Sequence, residues 1–310
     1  MRSGLDPAPN RPRRSSRGAG HTGTVLALAV LLVGGAVAAA WVNGSVGTVP
    51  LRPHCTATVD GSTTELDPEQ AGNAATIAAV AVKRRLPARA ASIGIATAMQ
   101  ESKLRNLDYG DRDSLGLFQQ RPSQGWGTAQ QIQEPVYAAN AFFDALVKVR
   151  GFQNLPIAVV AQKVQRSAYP TAYADHEPRA RILASALAGH SPAALSCVLY
   201  PAEGERQRPG ADGLTPRAAA LVAAANKETG RRGVTASPDG AGVRFGLSGR
   251  ESPRLGWALA QWAVARGEAL SVVSVQVDDR QWRRDKPHAG WAAVSGGTAP
   301  GTVVVRVTNG

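Results

Sequence analysis

The sequence predicts a mostly α-helical domain behind one transmembrane helix, followed by a small α/β (α+β) domain. Three observations carry that prediction. Thr24–Val42 runs nineteen residues without a charge. From Asp67 to Leu187 apolar residues recur at helical spacing, and no alternating strand pattern of any length interrupts them. Beyond the Pro/Gly/charge-rich stretch Tyr200–Thr215, β-branched runs alternate with helical ones.

At 310 residues the chain has room for two ordinary domains. Residues 1–23 are polar, with Arg2, Arg11, Arg13, Arg14 and Arg17 against Asp6 alone, the composition of a disordered basic tail. Residues 24–42 would span about 28 Å as a helix, enough to cross a bilayer. The arginines before them place the N-terminus in the cytoplasm and everything after Val42 outside the cell membrane. A cleaved signal peptide competes with this reading, since Ala38-Ala39-Ala40 offers a cut site, and it would leave a secreted protein. Its charged leader is long for that role. Residues 43–64 then read as a juxtamembrane spacer, 65–200 as the helical domain, 201–214 as a linker and 215–310 as the small domain. The linker's composition predicts that the helical domain folds without its neighbour.

Cysteine usage fits export. Cys55 and Cys197 are the only two, and they bracket the helical domain. In an oxidising compartment they pair and tie its ends together; the competing reading is two unrelated buried thiols. Neither has a Cys or His neighbour at zinc spacing, and the five histidines are scattered, so no metal or other cofactor is indicated.

Within the helical domain, Asp67 and Pro68 make an N-cap and first-turn pair. Ala71, Ala74, Ala75, Ile77, Ala78 and Ala81 then supply an apolar face up to Leu86-Pro87. A second helix follows, and after a loop three more are expected at Glu134–Val149, Pro156–Val164 and Asp175–Leu187. In the C-terminal domain, Pro216–Thr229 and Pro253–Arg266 read as helices, and Gly242–Leu247, Leu270–Val277 and Thr302–Val307 as strands. Trp257, Trp262, Trp282 and Trp291 read as core or edge packing.

The stretch Ile95–Gln120 concentrates the chemistry. Its helix is expected to end near Leu104–Asn106, which puts Glu101 in the last turn, on an apolar run. Helix C-terminal partial charge and burial both disfavour the ionised carboxyl. A carboxyl kept protonated near neutral pH is what glycosidic cleavage requires of its general acid. Glu101-Ser102, followed by Ser114-Leu115-Gly116-Leu117-Phe118-Gln119-Gln120, resembles the Glu-Ser and Gly-Leu-(Met/Phe)-Gln motifs of lysozyme-like lytic transglycosylases and goose-type lysozymes. The continuation Arg121–Gly127 resembles a variant common in actinobacterial cell-envelope proteins, here with a membrane anchor. The likeness covers about residues 65–190 and implies a lysozyme-like fold and cleavage of the MurNAc-GlcNAc strand of peptidoglycan, with Glu101 as the acid.

Substrate contacts are implied at Ser102, Ser114, Gly116, Gln119 and Gln120, each beside a plainer reading. Gly116 lets a sugar approach the backbone or simply permits a turn. Gln119 and Gln120 can hydrogen-bond acetamido groups or hold the loop, and the two serines divide the same way. Trp126 and Tyr137 can stack on sugars or pack in the core. The family's later Ala-Tyr-Asn-type motif is altered: Gln165, Arg166 and Ser167 stand there, with Tyr169 or Tyr173 as candidates to reach the same pocket.

A second carboxylate would decide the reaction. A hydrolase acting by inversion needs a base across the cleft, and Asp108, Asp111 and Asp113 are the candidates. If none serves, Glu101 acts alone, the substrate's own 6-hydroxyl attacks the anomeric carbon, and a 1,6-anhydro end forms. The resemblance favours this lyase over a muramidase. A third reading is a catalytically inactive wall-binding or envelope-assembly protein. In the C-terminal domain, Gly256–Trp262 with Trp282 and Trp291 resembles the tail of zinc D-Ala-D-Ala carboxypeptidase-like domains, but Val243–Ser248 lacks the metal ligands, which implies a non-catalytic, wall-binding relative. Residues 43–200 carry fifteen basic against twelve acidic residues, and 201–310 fifteen against ten. That surface suits an anionic cell wall. The expected partners are peptidoglycan glycan strands, the cytoplasmic membrane and other envelope proteins, and no basic-aromatic motif points to nucleic acid.

Overall fold

The computed structural model describes residues 52–165, 172–231 and 235–310. The expected membrane-crossing helix at Thr24–Val42 lies outside them, and no helix among the described residues is long and apolar enough to cross a membrane. The described chain opens on a hairpin. Asp60 and Gly61 both take positive φ (49° and 76°), which fits a two-residue turn to the twist of its strands. The flanking threonine-rich runs pair antiparallel as β1 (His54–Val59) and β2 (Ser62–Leu66). A third strand, β3 (Leu195–Val198), adds to the other side of β1, giving the order β2-β1-β3.

This corrects the mostly α-helical, lysozyme-like expectation: the described chain is mixed α and β, with two antiparallel sheets. The hairpin occupies the segment read as a spacer, and β3 has four residues, too few to show a period. Cys55 and Cys197 face each other across β1 and β3 and form a disulfide, with Cα atoms 4.0 Å apart.

Helix α1 (Pro68–Lys83) begins at a capping box. The Gln70 N–H donates to Asp67 Oδ1 (2.9 Å) and the Asp67 N–H to Gln70 Oε1 (3.1 Å). Every residue from Ala71 to Ala81 is buried, so α1 is the core on all sides rather than one face. Helix α2 (Ala88–Ser102) packs tightly against it at Gly94. A Cβ there would lie 2.9 Å from Ile77 Cγ2 and 3.3 Å from Phe143 Cζ. The short α3 (Ala129–Ile132), then α4 (Pro135–Leu146), α5 (Ile157–Gln165) and α6 (Glu177–Leu187), complete this half.

The second half contains α7 (Pro216–Thr229), β4 (Thr235–Ala236), β5 (Gly242–Gly246), α8 (Ser252–Ala265), β6 (Val272–Val277), β7 (Arg280–Arg283), β8 (Trp291–Ala293) and β9 (Thr302–Val307). Its strands form one antiparallel sheet in the order β4-β5-β9-β6-β7-β8, with α8 packed on it. The alternating burial of β6 and β9 is what a sheet covered on one face requires.

The two halves are not independent. The described residues form one compact unit, in which α1 packs on α7 and α8. The outer edge of β3 is closed by side chains from the second half. Trp291 Nε1 donates to the Leu195 carbonyl (2.7 Å) and Trp282 Nε1 to the Cys197 carbonyl (3.1 Å). The Leu195 N–H donates to Gln261 Oε1 (2.7 Å). Those backbone groups would otherwise be buried without partners. The sequence predicts a separately folding first domain, whereas in the structure its third strand is finished by side chains of the second half.

Candidate active site

Glu101 lies one residue from the end of α2 and is half-buried. The helix stops at Ser102, short of the expected Leu104–Asn106, because Lys103 and Leu104 both turn left-handed (φ 55° and 60°). Each non-glycine residue in that region costs about 1–2 kcal/mol. Side chains of α1 hold the turn: Gln70 Nε2 donates to the Lys103 carbonyl (2.9 Å) and buried Asn73 Nδ2 to the Leu104 carbonyl (2.8 Å). Strain fixed in this way beside a carboxyl group marks the helix end as a candidate site.

The loop after α2 is clamped against it. Ser102 Oγ lies 2.8 Å from the Leu117 carbonyl and 3.0 Å from the Ala98 carbonyl. From the other side, Gln165 Nε2 on α5 donates to the Phe118 carbonyl (2.7 Å). Leu115 and Gln120 exchange N–H to carbonyl bonds of 3.0 Å, closing a tight turn over Gly116–Gln119. Gly116 has φ 73°, and a Cβ there would sit 2.8 Å from the Ile132 carbonyl oxygen. Phe118 is fully buried and stacks on Phe142 with centroids 4.5 Å apart.

Tyr173 completes the site from the far end of the half. Its side chain is 1% exposed, and its hydroxyl donates to Glu101 Oε1 at 2.6 Å. One carboxyl oxygen is thereby held by a buried hydroxyl. Tyr169, the alternative, lies outside the described residues.

The other expected contacts divide by burial. Ser102, Ser114, Gly116 and Gln120 are buried, and Gln120 Nε2 donates to the Ala138 carbonyl (3.2 Å). These residues build the loop rather than line its surface. Gln119 is half-exposed, with Nε2 donating to the Tyr109 and Gly116 carbonyls (3.2 and 3.3 Å). Trp126 and Tyr137 are half-buried walls of a cleft of about 530 Å³ that also contains Lys148 and Lys163.

Among the loop acids, Asp108 is exposed and the Asp111 side chain is 92% exposed. Asp113 is committed elsewhere. The Ser123 N–H (2.8 Å) and Arg121 Nε (2.6 Å) donate to its two oxygens and hold its carboxyl well below the usual carboxylate range. Among the described residues, no three His, Cys, Asp or Glu side chains converge as a metal site would require.

Sequence reasoning missed the supports. Asn73 carried a signal, an amide inside the alanine-rich run of its helix, and Gln165 stands out in the sequence only as a departure from a motif. His176 Nε2, 3.0 Å from Gln100 Oε1 beside Glu101, carried none. No protein-family model matches this chain, and no curated protein matches it.

Proposed function

We propose that the chain cleaves the MurNAc-GlcNAc strand of peptidoglycan as a lytic transglycosylase, with Glu101 as its single acid/base. The observation that carries the reading is the Tyr173–Glu101 hydrogen bond at the strained end of α2, beside the clamped Gly116–Gln120 turn. In the first step the protonated carboxyl gives its proton to the glycosidic oxygen as the bond from MurNAc C1 breaks. The carboxylate left behind takes the proton of the MurNAc 6-hydroxyl, whose oxygen attacks C1. The products are a 1,6-anhydro MurNAc end and a GlcNAc with a free 4-hydroxyl.

The two-carboxylate muramidase alternative has less support, since both Asp113 oxygens are occupied and Asp111 stands in solvent. The Cys55–Cys197 disulfide supports export, and anchoring through residues 24–42 would hold the site at the outer face of the membrane. Zymography on purified cell wall tests the reading: the parent chain should clear the gel and Glu101→Gln should not. A parent chain that binds wall without clearing it would favour the inactive wall-binding alternative.

A further inference from the structure

A cleft on the seam between the halves adjoins a second one within the first half, and the two share Ala88 and His190 among their lining residues and so form one groove. They hold about 830 and 600 Å³. The groove's cations come from separate elements: Lys83 and Arg85 at the end of α1, Arg89 in the first turn of α2, Arg231 just past α7, and Arg254 in α8. Only the packing of the halves brings them together.

The charge is largely uncompensated. The groove's acids are Asp60 and Glu251, and Glu251 is spent on Arg254 (2.7 Å). Arg181, a further lining residue, is paired with Glu177 (2.6 Å). Lys83 Nζ donates to the Lys227 carbonyl (2.9 Å), and Arg89 to the Phe152 and Leu155 carbonyls. Neutral carbonyls position these cations without cancelling them. Lys83 and Arg85 are exposed and Arg231 is half-buried. A cleft lined by one sign of charge focuses its field and gathers counter-ions, and arginine forks match phosphate oxygens.

We propose that this groove binds a linear phosphodiester polymer, running from the Asp60 hairpin to the seam at Arg231. Two clefts in series suit an extended chain of repeating charges, and a concave seam admits such a chain where a flat bilayer cannot enter. Glu101 lines neither cleft, so the site stands apart from the proposed chemistry.

The test measures binding of a labelled synthetic poly(glycerol phosphate) to the purified full chain over a salt series. Neutral dextran, anionic phospholipid vesicles and single-stranded DNA serve as comparisons. The parent chain should bind the polymer, more weakly as salt rises, and ignore dextran. The combined Lys83→Gln, Arg85→Gln, Arg231→Gln variant should lose at least about tenfold in affinity at low salt. Its log–log salt slope should fall by about two units, the share of three phosphate contacts on a single strand. Arg85→Gln alone, an exposed substitution, should lose part of the affinity with an unchanged melt, which guards against misfolding of the triple variant. Glu101→Gln should bind as the parent does. Equal binding by parent and triple variant, salt-insensitive binding, or tighter binding to vesicles or DNA than to the polymer would each overturn the proposal.

Discussion

Glu228 is the buried carboxylate on which the junction between the halves turns. It is 4% exposed, and its Oε2 accepts from Thr76 Oγ1 of α1 and Trp262 Nε1 of α8, both at 2.8 Å. Oε1 lies 3.2 Å from Arg266 Nη2. Glu228→Ala removes the acceptor of all three donors at once. Breaking a buried ion pair from one side costs about 3–5 kcal/mol. The stranded Trp262 N–H pushes towards the upper end of that range, while the Thr76 hydroxyl keeps the Gly72 carbonyl at 3.2 Å as an acceptor. The Arg266 side chain is 23% exposed, so water recovers part of its solvation and pushes the other way. A loss of about 4 kcal/mol follows, which lowers the melting temperature of a unit this size by about 10 °C. Glu228→Gln keeps the shape but must turn its NH2 towards either Arg266 or the Trp262–Thr76 pair, so it should lose about 1–3 kcal/mol. Urea unfolding followed by tryptophan fluorescence measures both, with Trp262 reporting on the junction itself. If Glu228→Ala unfolds within about 1 kcal/mol of the parent, the junction is held by apolar packing and the reasoning from Glu228 fails.

Tyr173→Phe deletes the hydroxyl on Glu101 Oε1 and little volume. Losing a hydrogen bond that becomes charge-assisted as Glu101 gives up its proton, about 1.5–3 kcal/mol, should lower the cleavage rate about 10- to 150-fold with the melt nearly unchanged. A rate equal to the parent's would remove Tyr173 from the site. Asp113 has a lowered folded-state pKa, so its contribution is full above the ordinary aspartate value and is lost as pH falls through the folded one. Protease resistance of the 108–125 loop should therefore hold at about pH 5 and decline only in stronger acid. Asp113→Asn should be cut faster at neutral pH and show no such acid step. The disulfide closes a separation of 142 residues, an upper bound of about 5 kcal/mol in the chain-entropy model. The double Cys→Ser variant should lose about 2–5 kcal/mol in urea. Free thiols in the exported, non-reduced chain would contradict that placement.

The sequence made local features legible. Asp67-Pro68, the apolar period of each long helix and the two β-branched strands all show in neighbouring residues, where propensity and capping act. Glu101 and its loop stand out in the sequence through a family resemblance, and within that loop Gly116 takes the positive φ of the turn while Leu117 and Phe118 enter the core. The Asp60-Gly61 turn was equally local but sat in a segment already read as a spacer. What stayed hidden depends on long-range partners. Tyr173 reaches Glu101 across 72 positions, and the indoles of Trp282 and Trp291 bond to backbone carbonyls, which leave no mark in a sequence. A polar linker reports only that residues 201–214 are locally uncommitted, and it says nothing about the faces it joins. Gln261, a polar residue inside the apolar run Trp257–Ala265, was the visible hint that those faces meet.

If Glu101 works alone as acid and base, the ends left on the glycan will show it. Purified peptidoglycan would be digested with the parent chain and with Glu101→Gln, and the released muropeptides weighed by mass spectrometry. The parent should release muramyl ends lighter by one water than hydrolysed ends. Glu101→Gln should release almost nothing, since proton transfer by a positioned group contributes about a hundred- to ten-thousand-fold. Reducing ends alone from the parent would contradict the single-glutamate chemistry, and undiminished release by Glu101→Gln would contradict the site.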